Sequence, residues 1–213
     1  MVFEKQGKYD EALELSMRVL AMQEQSLGKD HRDTLATVYG MGVVFQNQGK
    51  DDESMEWFKQ ALSGNERSLG KGHPDTLESV HGMGNLYWRQ GKNDEALQCY
   101  SRVLAGREKY LGNSHPDTLF AVYGIAMVLQ NQGKHDGARV WYSRALAGNE
   151  KSLGKDHPDT LLIVSSMGNM FWRQKKYDEA LERYRRVLAG QKKSLGEDHP
   201  SSFSLSMPWQ LYA

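Results

Sequence analysis

One string punctuates the chain. "LGKDHRDTL" begins at Leu27, "LGKGHPDTL" at Leu69, "LGNSHPDTL" at Leu111, "LGKDHPDTL" at Leu153 and the divergent "LGEDHPSSF" at Leu195, always at the same interval from the last. A fixed period of this length means that one supersecondary unit is repeated and that neighbouring copies must stack to bury a core.

The unit starting at residue 75 shows the pattern. Leu77, Val80, Gly84 and Tyr87 fall at i, i+3, i+7 and i+10, on one face of a first helix, A. "RQGKNDEA" interrupts, with Gly91 suited to the left-handed conformation that ends a helix and Asn93 or Asp94 suited to cap the next. Ala96, Tyr100, Val103, Leu104 and Arg107 then form the stripe of a second helix, B. In the following loop His115 or Asp117 is the expected N-cap, with Pro116 at the first helical position, where its missing N–H costs nothing. Gly42, Gly84, Ala126 and Gly168 are small enough to let helix B approach helix A. Further glycines lie inside helices, Gly40 and Gly82 in A and Gly64, Gly106, Gly148 and Gly190 in B, each costing about 1 kcal/mol relative to alanine. Two explanations stand: a groove that flexes, or backbones that pack closely.

Composition narrows the function. Lysine plus arginine (27) balance aspartate plus glutamate (27), which argues against nucleic acid as a partner. No stretch reaches the roughly 20 apolar residues of a membrane span, so membrane insertion is not expected. The lone Cys99 cannot form an internal disulfide and fits a reducing, cytoplasmic setting.

The paired helices, the small residue in helix A, "QGKYDEAL" and the alanine and aromatic stripe of helix B resemble tetratricopeptide repeats. The constant period with its "LGxxHPDTL" string is similar to the kinesin light chain and nephrocystin-3-like variety. The resemblance implies an all-α, right-handed superhelical solenoid of helix-turn-helix repeats. It divides the chain into a partial repeat at 1–32, repeats at 33–74, 75–116, 117–158 and 159–200, and a degenerate tail at 201–213, in one continuous domain. It also implies a non-catalytic scaffold that holds extended segments of protein partners in a concave groove lined by A helices. One departure is that Gly40, Gly82, Gly124 and Ser166 stand where kinesin light chains usually carry asparagine.

The repeats alternate. "YGMGVVFQNQGK" from Tyr39 matches "YGIAMVLQNQGK" from Tyr123, while "HGMGNLYWRQGK" from His81 matches "SMGNMFWRQKK" from Ser166, so the full period spans a pair of repeats. One step round helix A from the core stripe lie the candidate groove residues. They are Tyr39, Val43 and Gln46, then His81, Asn85, Trp88 and Arg89, then Tyr123, Met127 and Gln130, then Ser165, Asn169, Trp172 and Arg173. Asparagine can hold a peptide backbone, and arginine beside tryptophan can pair with a carboxylate. The expected ligand is therefore a peptide with acidic or aromatic-acidic anchors, one at each asparagine–tryptophan–arginine set. At one helix spacing per repeat the sets lie about 20 Å apart, a span of roughly six extended residues. The competing expectation is that Trp88 and Trp172 fill the seams between repeats.

Sharper chemistries are not supported. "HPD" occurs three times, always in the same turn, as capping requires and a single docking motif does not. Histidines set one repeat apart are poorly placed to share a metal, and neither a phosphate loop nor a nucleophile–base arrangement stands out. No catalysis, cofactor or metal is expected. The expectations for the ends are a chain that begins inside a helix A, with Phe3 aligned to Phe45 and Gly7 to Gly49, and a last helix broken at Pro208. Uncapped ends suggest the alternative of a structural element that stacks on itself, as a homodimer through open ends. Arg183, Arg185, Arg186, Lys192 and Lys193 form a basic cluster, either a solvated face or a site for an acidic partner.

Overall fold

The computed structural model describes residues 2–195, with side chains over 11–193, and the described residues form nine α-helices. They are α1 (Val2–Ser26), α2 (Arg32–Asn47), α3 (Asp51–Ser68), α4 (Pro74–Arg89), α5 (Asn93–Leu111), α6 (Pro116–Asn131), α7 (His135–Ser152), α8 (Pro158–Arg173) and α9 (Tyr177–Leu195). The expectations for Phe3 and for the tail lie outside the described side chains. Two compact units, Met1–Tyr110 and Leu111–Ala213, make up the chain.

Within the first unit α2 packs on α1 and α3, and α4 packs on α3 and touches α2. Within the second, α6 packs on α7, α7 on α8 and α8 on α9, and α6 also touches α8. The expected stripes are the buried ones except at Tyr87, which is half-buried. Leu77 and Val80 are 1% and 3% exposed, and all of Ala96, Tyr100, Val103, Leu104 and even Arg107 are buried.

Glycine–leucine contacts govern the approach of B to A. The leucine that closes each "DTL" string lies against a helix B glycine: Leu35 on Gly64, Leu77 on Gly106, Leu119 on Gly148 and Leu161 on Gly190. A Cβ added at Gly106 would stand 2.5 Å from Leu77 Cδ1, and one at Gly190 2.8 Å from Leu161 Cδ2. Farther along the pair, Gly42 faces the Phe58 ring, Gly84 faces Tyr100 and Gly168 faces Tyr184. Close packing therefore accounts for these glycines. The helix pays their propensity cost for contacts no side chain would permit.

The repeated string closes each B-to-A loop on itself. Gly28, Gly70, Gly112 and Gly154 have φ between 85° and 98°, the left-handed region that ends helix B. His31, His73, His115 and His157 then cap the next helix, each Nδ1 accepting from the backbone N–H two residues on at 3.2 Å. Histidine, not the aspartate, is thus the N-cap, and Pro74, Pro116 and Pro158 open their helices as expected. Thr34, Thr76 and Thr160, fully buried, donate from Oγ1 to the carbonyls of Gly28, Gly70 and Gly154 at 2.8–2.9 Å.

The A-to-B turns differ from expectation. Gly91 N–H bonds to the Trp88 carbonyl and Lys92 N–H to that of Tyr87, a Schellman closure also seen at Gly49, Gly133 and Lys175. Asn93 is consequently the first residue of α5, not its cap, and Lys50 and Lys134 stand at the cap positions of α3 and α7 without a side-chain bond. The tight turn leaves no extended residue for a side-chain cap, and Asp51, Asp52, Asp94 and Glu95 in the first turns meet the helix dipole. A second difference is at the start, where α1 runs through Gly7 although the repeat aligns a turn there.

Two substitutions test these packing arguments. Gly106→Ala should cost about 1–3 kcal/mol, because Leu77 must leave its place. Lys175 has φ 61° where its counterparts are glycine, so Lys175→Gly should raise stability by about 0.5–1 kcal/mol, the left-handed penalty less the entropy glycine adds to the unfolded chain. Urea unfolding followed by helical circular dichroism measures both, and a neutral Gly106→Ala would refute the contact.

Candidate functional site

The A-helix face that carries the candidate residues is organised by hydroxyls from the B helices. Tyr100 on α5 donates to Asn85 Oδ1 at 2.7 Å, and Tyr184 on α9 donates to Asn169 Oδ1 at the same distance. Tyr142 on α7 does the same for Gln130 Oε1 at 2.6 Å. An amide whose oxygen is pinned this way presents its NH2 group on the opposite side. Burial raises the hydroxyl pKa of Tyr142 and Tyr184, the latter to about 12, so both remain donors at any ordinary pH. Asn85 and Asn169 are half-buried.

The remaining candidates are less open. His81 is 7% exposed and packs on the Tyr100 ring at 5.6 Å between centroids. Burial, helped by the nearby Arg107 charge, holds its imidazole down at about 4. Tyr123 is buried with its hydroxyl 2.9 Å from Ser166 Oγ. Tyr39 reaches Glu78 Oε2 at 3.5 Å, and burial followed by that carboxylate pushes its hydroxyl to about 12. Arg89 donates to the Gln46 carbonyl at 3.0 Å, at the C-terminal end of α2, and lies 3.2 Å from Asp51. Arg173 is exposed.

The tryptophans serve packing in part. Trp172 meets the Tyr177 ring edge-on at 4.9 Å and lies against the Ala180–Tyr184 cluster. Trp88 is half-buried, with its indole N–H enclosed and without a partner. In the basic cluster, Arg186 pairs with Glu150 and Lys193 with Asp156, which neutralises part of the charge.

Sequence reasoning passed over the tyrosine pins and the pairing of buried Arg107 with Glu78 at 2.5 Å. A signal for the pins exists. Asn85 is matched by Tyr100 and Asn169 by Tyr184, whereas the first repeat has Val43 and Phe58 in the same places.

Stacked helix pairs held at glycine contacts define an all-α helical repeat solenoid. A family model described as tetratricopeptide repeat matches residues 1–67, 34–109, 75–127 and 117–193, and the chain belongs to that family. Within it the chain is of kinesin light chain type. Two crystal structures of a kinesin light chain-type protein with nearly identical TPR-like repeats from Podosopora anserina are similar to it at 25% and 26% identity, with TM-scores of 0.73 and 0.71 and 92% of each chain covered. BtubC from P. vanneervenii shares the fold at 18% identity and TM-score 0.69, over 93% of this chain and 78% of that one. So does a Rap protein complexed with competence and sporulation factor, at 16% identity and TM-score 0.73, over 91% of this chain and 52% of that one. No curated relative matches. Proteins of this fold generally mediate protein–protein interaction and are typically non-catalytic. Among the described residues, no helix is long and apolar enough to cross a membrane.

Buried His81 gives the unit a pH dependence of known sign. Its pKa is about 4 when folded, against an ordinary 6.5, so the unfolded chain binds the extra proton between those values. Its contribution is complete above about pH 6.5, falls as pH drops toward 4, and amounts to roughly 3 kcal/mol. Thermal midpoints of wild type and His81→Gln across pH 4–8 should converge toward the acid end. Parallel curves would show that His81 is protonated in place.

Proposed function

We propose that the chain is a non-catalytic scaffold that binds extended peptide segments of other proteins along its A-helix face. The observation that carries this reading is the pair of tyrosine-pinned asparagines, Asn85 and Asn169, each with its NH2 turned away from the B helix. Amides fixed in one orientation can bond a peptide's backbone carbonyls without first losing rotamer freedom, and backbone bonding suits ligands of varied sequence. Exposed Arg173 beside Trp172 supports an acidic anchor at the second asparagine, whereas Arg89 is engaged by Asp51. The cytoplasm is the location proposed, since the single Cys99 of the chain has no internal disulfide partner.

Asparagine-to-aspartate substitution provides the test. Asn85→Asp and Asn169→Asp keep an oxygen for the tyrosine and remove the NH2 donors, so each should weaken binding of a peptide selected from a random display library by about tenfold, or 1.4 kcal/mol, with the fold intact. Fluorescence anisotropy with the labelled peptide measures it. A library that yields no binder, or binders indifferent to both substitutions, would remove this reading.

The alternative, self-association, has one supporting observation. Leu15, Val19 and Met22 of α1 are 53%, 45% and 70% exposed. Sedimentation equilibrium should then show mass rising with concentration, and a strict monomer at high concentration would dismiss it.

A further inference from the structure

Two cavities occupy equivalent places in the duplicated sequence, one in each unit, where an A helix, its B helix and the next A helix meet. The first, of about 280 Å³, has Ala36, Tyr39, Asn65 and Glu78 in its wall; the second, of about 90 Å³, has Phe120, Tyr123, Asn149 and Leu162 in the corresponding positions. Three wall positions are exchanged, Arg32, Ala36 and Glu78 in the first against Pro116, Phe120 and Leu162 in the second. Phenylalanine fills in the second unit the space that Ala36 leaves in the first, and Leu162 replaces a carboxylate.

The larger cavity is set apart by its size and by Glu78, because the inner Asn65 and its counterpart Asn149 both carry a buried amide oxygen without a partner. Asn65 is 3% exposed, and its Nδ2 donates to the Asp75 backbone carbonyl at 3.2 Å, which fixes the amide's orientation. Its Oδ1 is a buried acceptor without a partner. A buried amide oxygen without a hydrogen bond is costly unless a ligand supplies one. Around it stand the carboxylates of Asp33, Asp75 and Glu78. Arg32 pairs with Asp75 at 2.8 Å from a largely exposed position, and Arg107 pairs with Glu78 from behind. The group retains one net negative charge and an excess of acceptors over donors.

We propose that this cavity receives the arginine side chain of a bound peptide, its guanidinium donating to Asn65 Oδ1 and to the rim carboxylates. Arginine fits because its planar fork offers several donors and no acceptor, and it is less strongly hydrated than lysine's ammonium. The proposal deepens the scaffold reading and rests on it. It gives the ligand a basic anchor at Asn65, a position separate from the pinned asparagines.

The test uses the full chain and three small probes, the N-acetyl methylamides of arginine, norleucine and glutamate, titrated while 15N–1H spectra are recorded. The arginine probe should shift the Asn65 side-chain amide and the Ala36 backbone amide saturably, leave Asn149 in place, and bind at least tenfold more tightly than the other two. Ala36→Phe, which installs the second unit's residue at an exposed helix position, should weaken it tenfold or more. Glu78→Leu should do the same, and the Ala36 variant guards against misfolding when Arg107 loses its partner. An unmoved Asn65, an equal response to the glutamate probe, or indifference to Ala36→Phe overturns the proposal. If the probe fails while library peptides still depend on Asn85, only the cavity assignment falls. A library without binders removes the scaffold reading even if the arginine probe binds.

Discussion

The distance between helix A and helix B is the constraint from which the other features follow. It is set where a leucine at the start of A lies on the bare backbone of a glycine in B, at Leu77–Gly106 and its three equivalents. Because B sits this close, aromatic rings farther along the pair meet Gly42, Gly84 and Gly168, and the Tyr100 and Tyr184 hydroxyls reach the amides on the A helix. A methyl group at the glycine would widen the gap and move those hydroxyls off their partners. Packing and the proposed recognition surface thus share one dimension.

Most of the fold was legible because its punctuation is written in residues with few conformational options. Glycine at a positive φ, proline at a helix start and the leucine–glycine register are local signals, and each recurs often enough to be read without context. The helix B starts were not legible. Asn93 and Asp94 look like caps, but the backbone closure at Gly91 and Lys92 uses the residues a cap would need. The site was legible in part. Helical spacing placed Asn85 and Asn169 one step from the core stripe, yet it could not show that His81, on the same face, lies 7% exposed beneath its neighbours. Burial of one member of a stripe depends on side chains from three helices. The pairing of Arg107 with Glu78 was hidden for the same reason.

Duplication of a pair of repeats explains why the molecule offers internal comparisons. The Arg102–Glu66 pair recurs as Arg186–Glu150, and the Asn85–Tyr100 bond as Asn169–Tyr184. Against that constancy the two cavities have diverged in both size and charge. Glu78 pairs with buried Arg107 in the first unit, whereas the second has Leu162 and Gln191 in the same places, so the wall residue and the residue it meets have changed together.

The loop between repeats has a consequence for how such a chain can change length. Gly70, His73 and Thr76 satisfy one another's backbone within a single short stretch, and the bond it takes from the following helix B, Arg102 to the Lys71 carbonyl, recurs as Arg186 to that of Lys155. A junction built the same way at each repeat is interchangeable. Recombination between any two such loops joins the reading frame of one helix pair to that of another without altering the joint, and the array can be lengthened, shortened or shuffled in whole modules, while a cut anywhere inside a module would separate a leucine from its glycine.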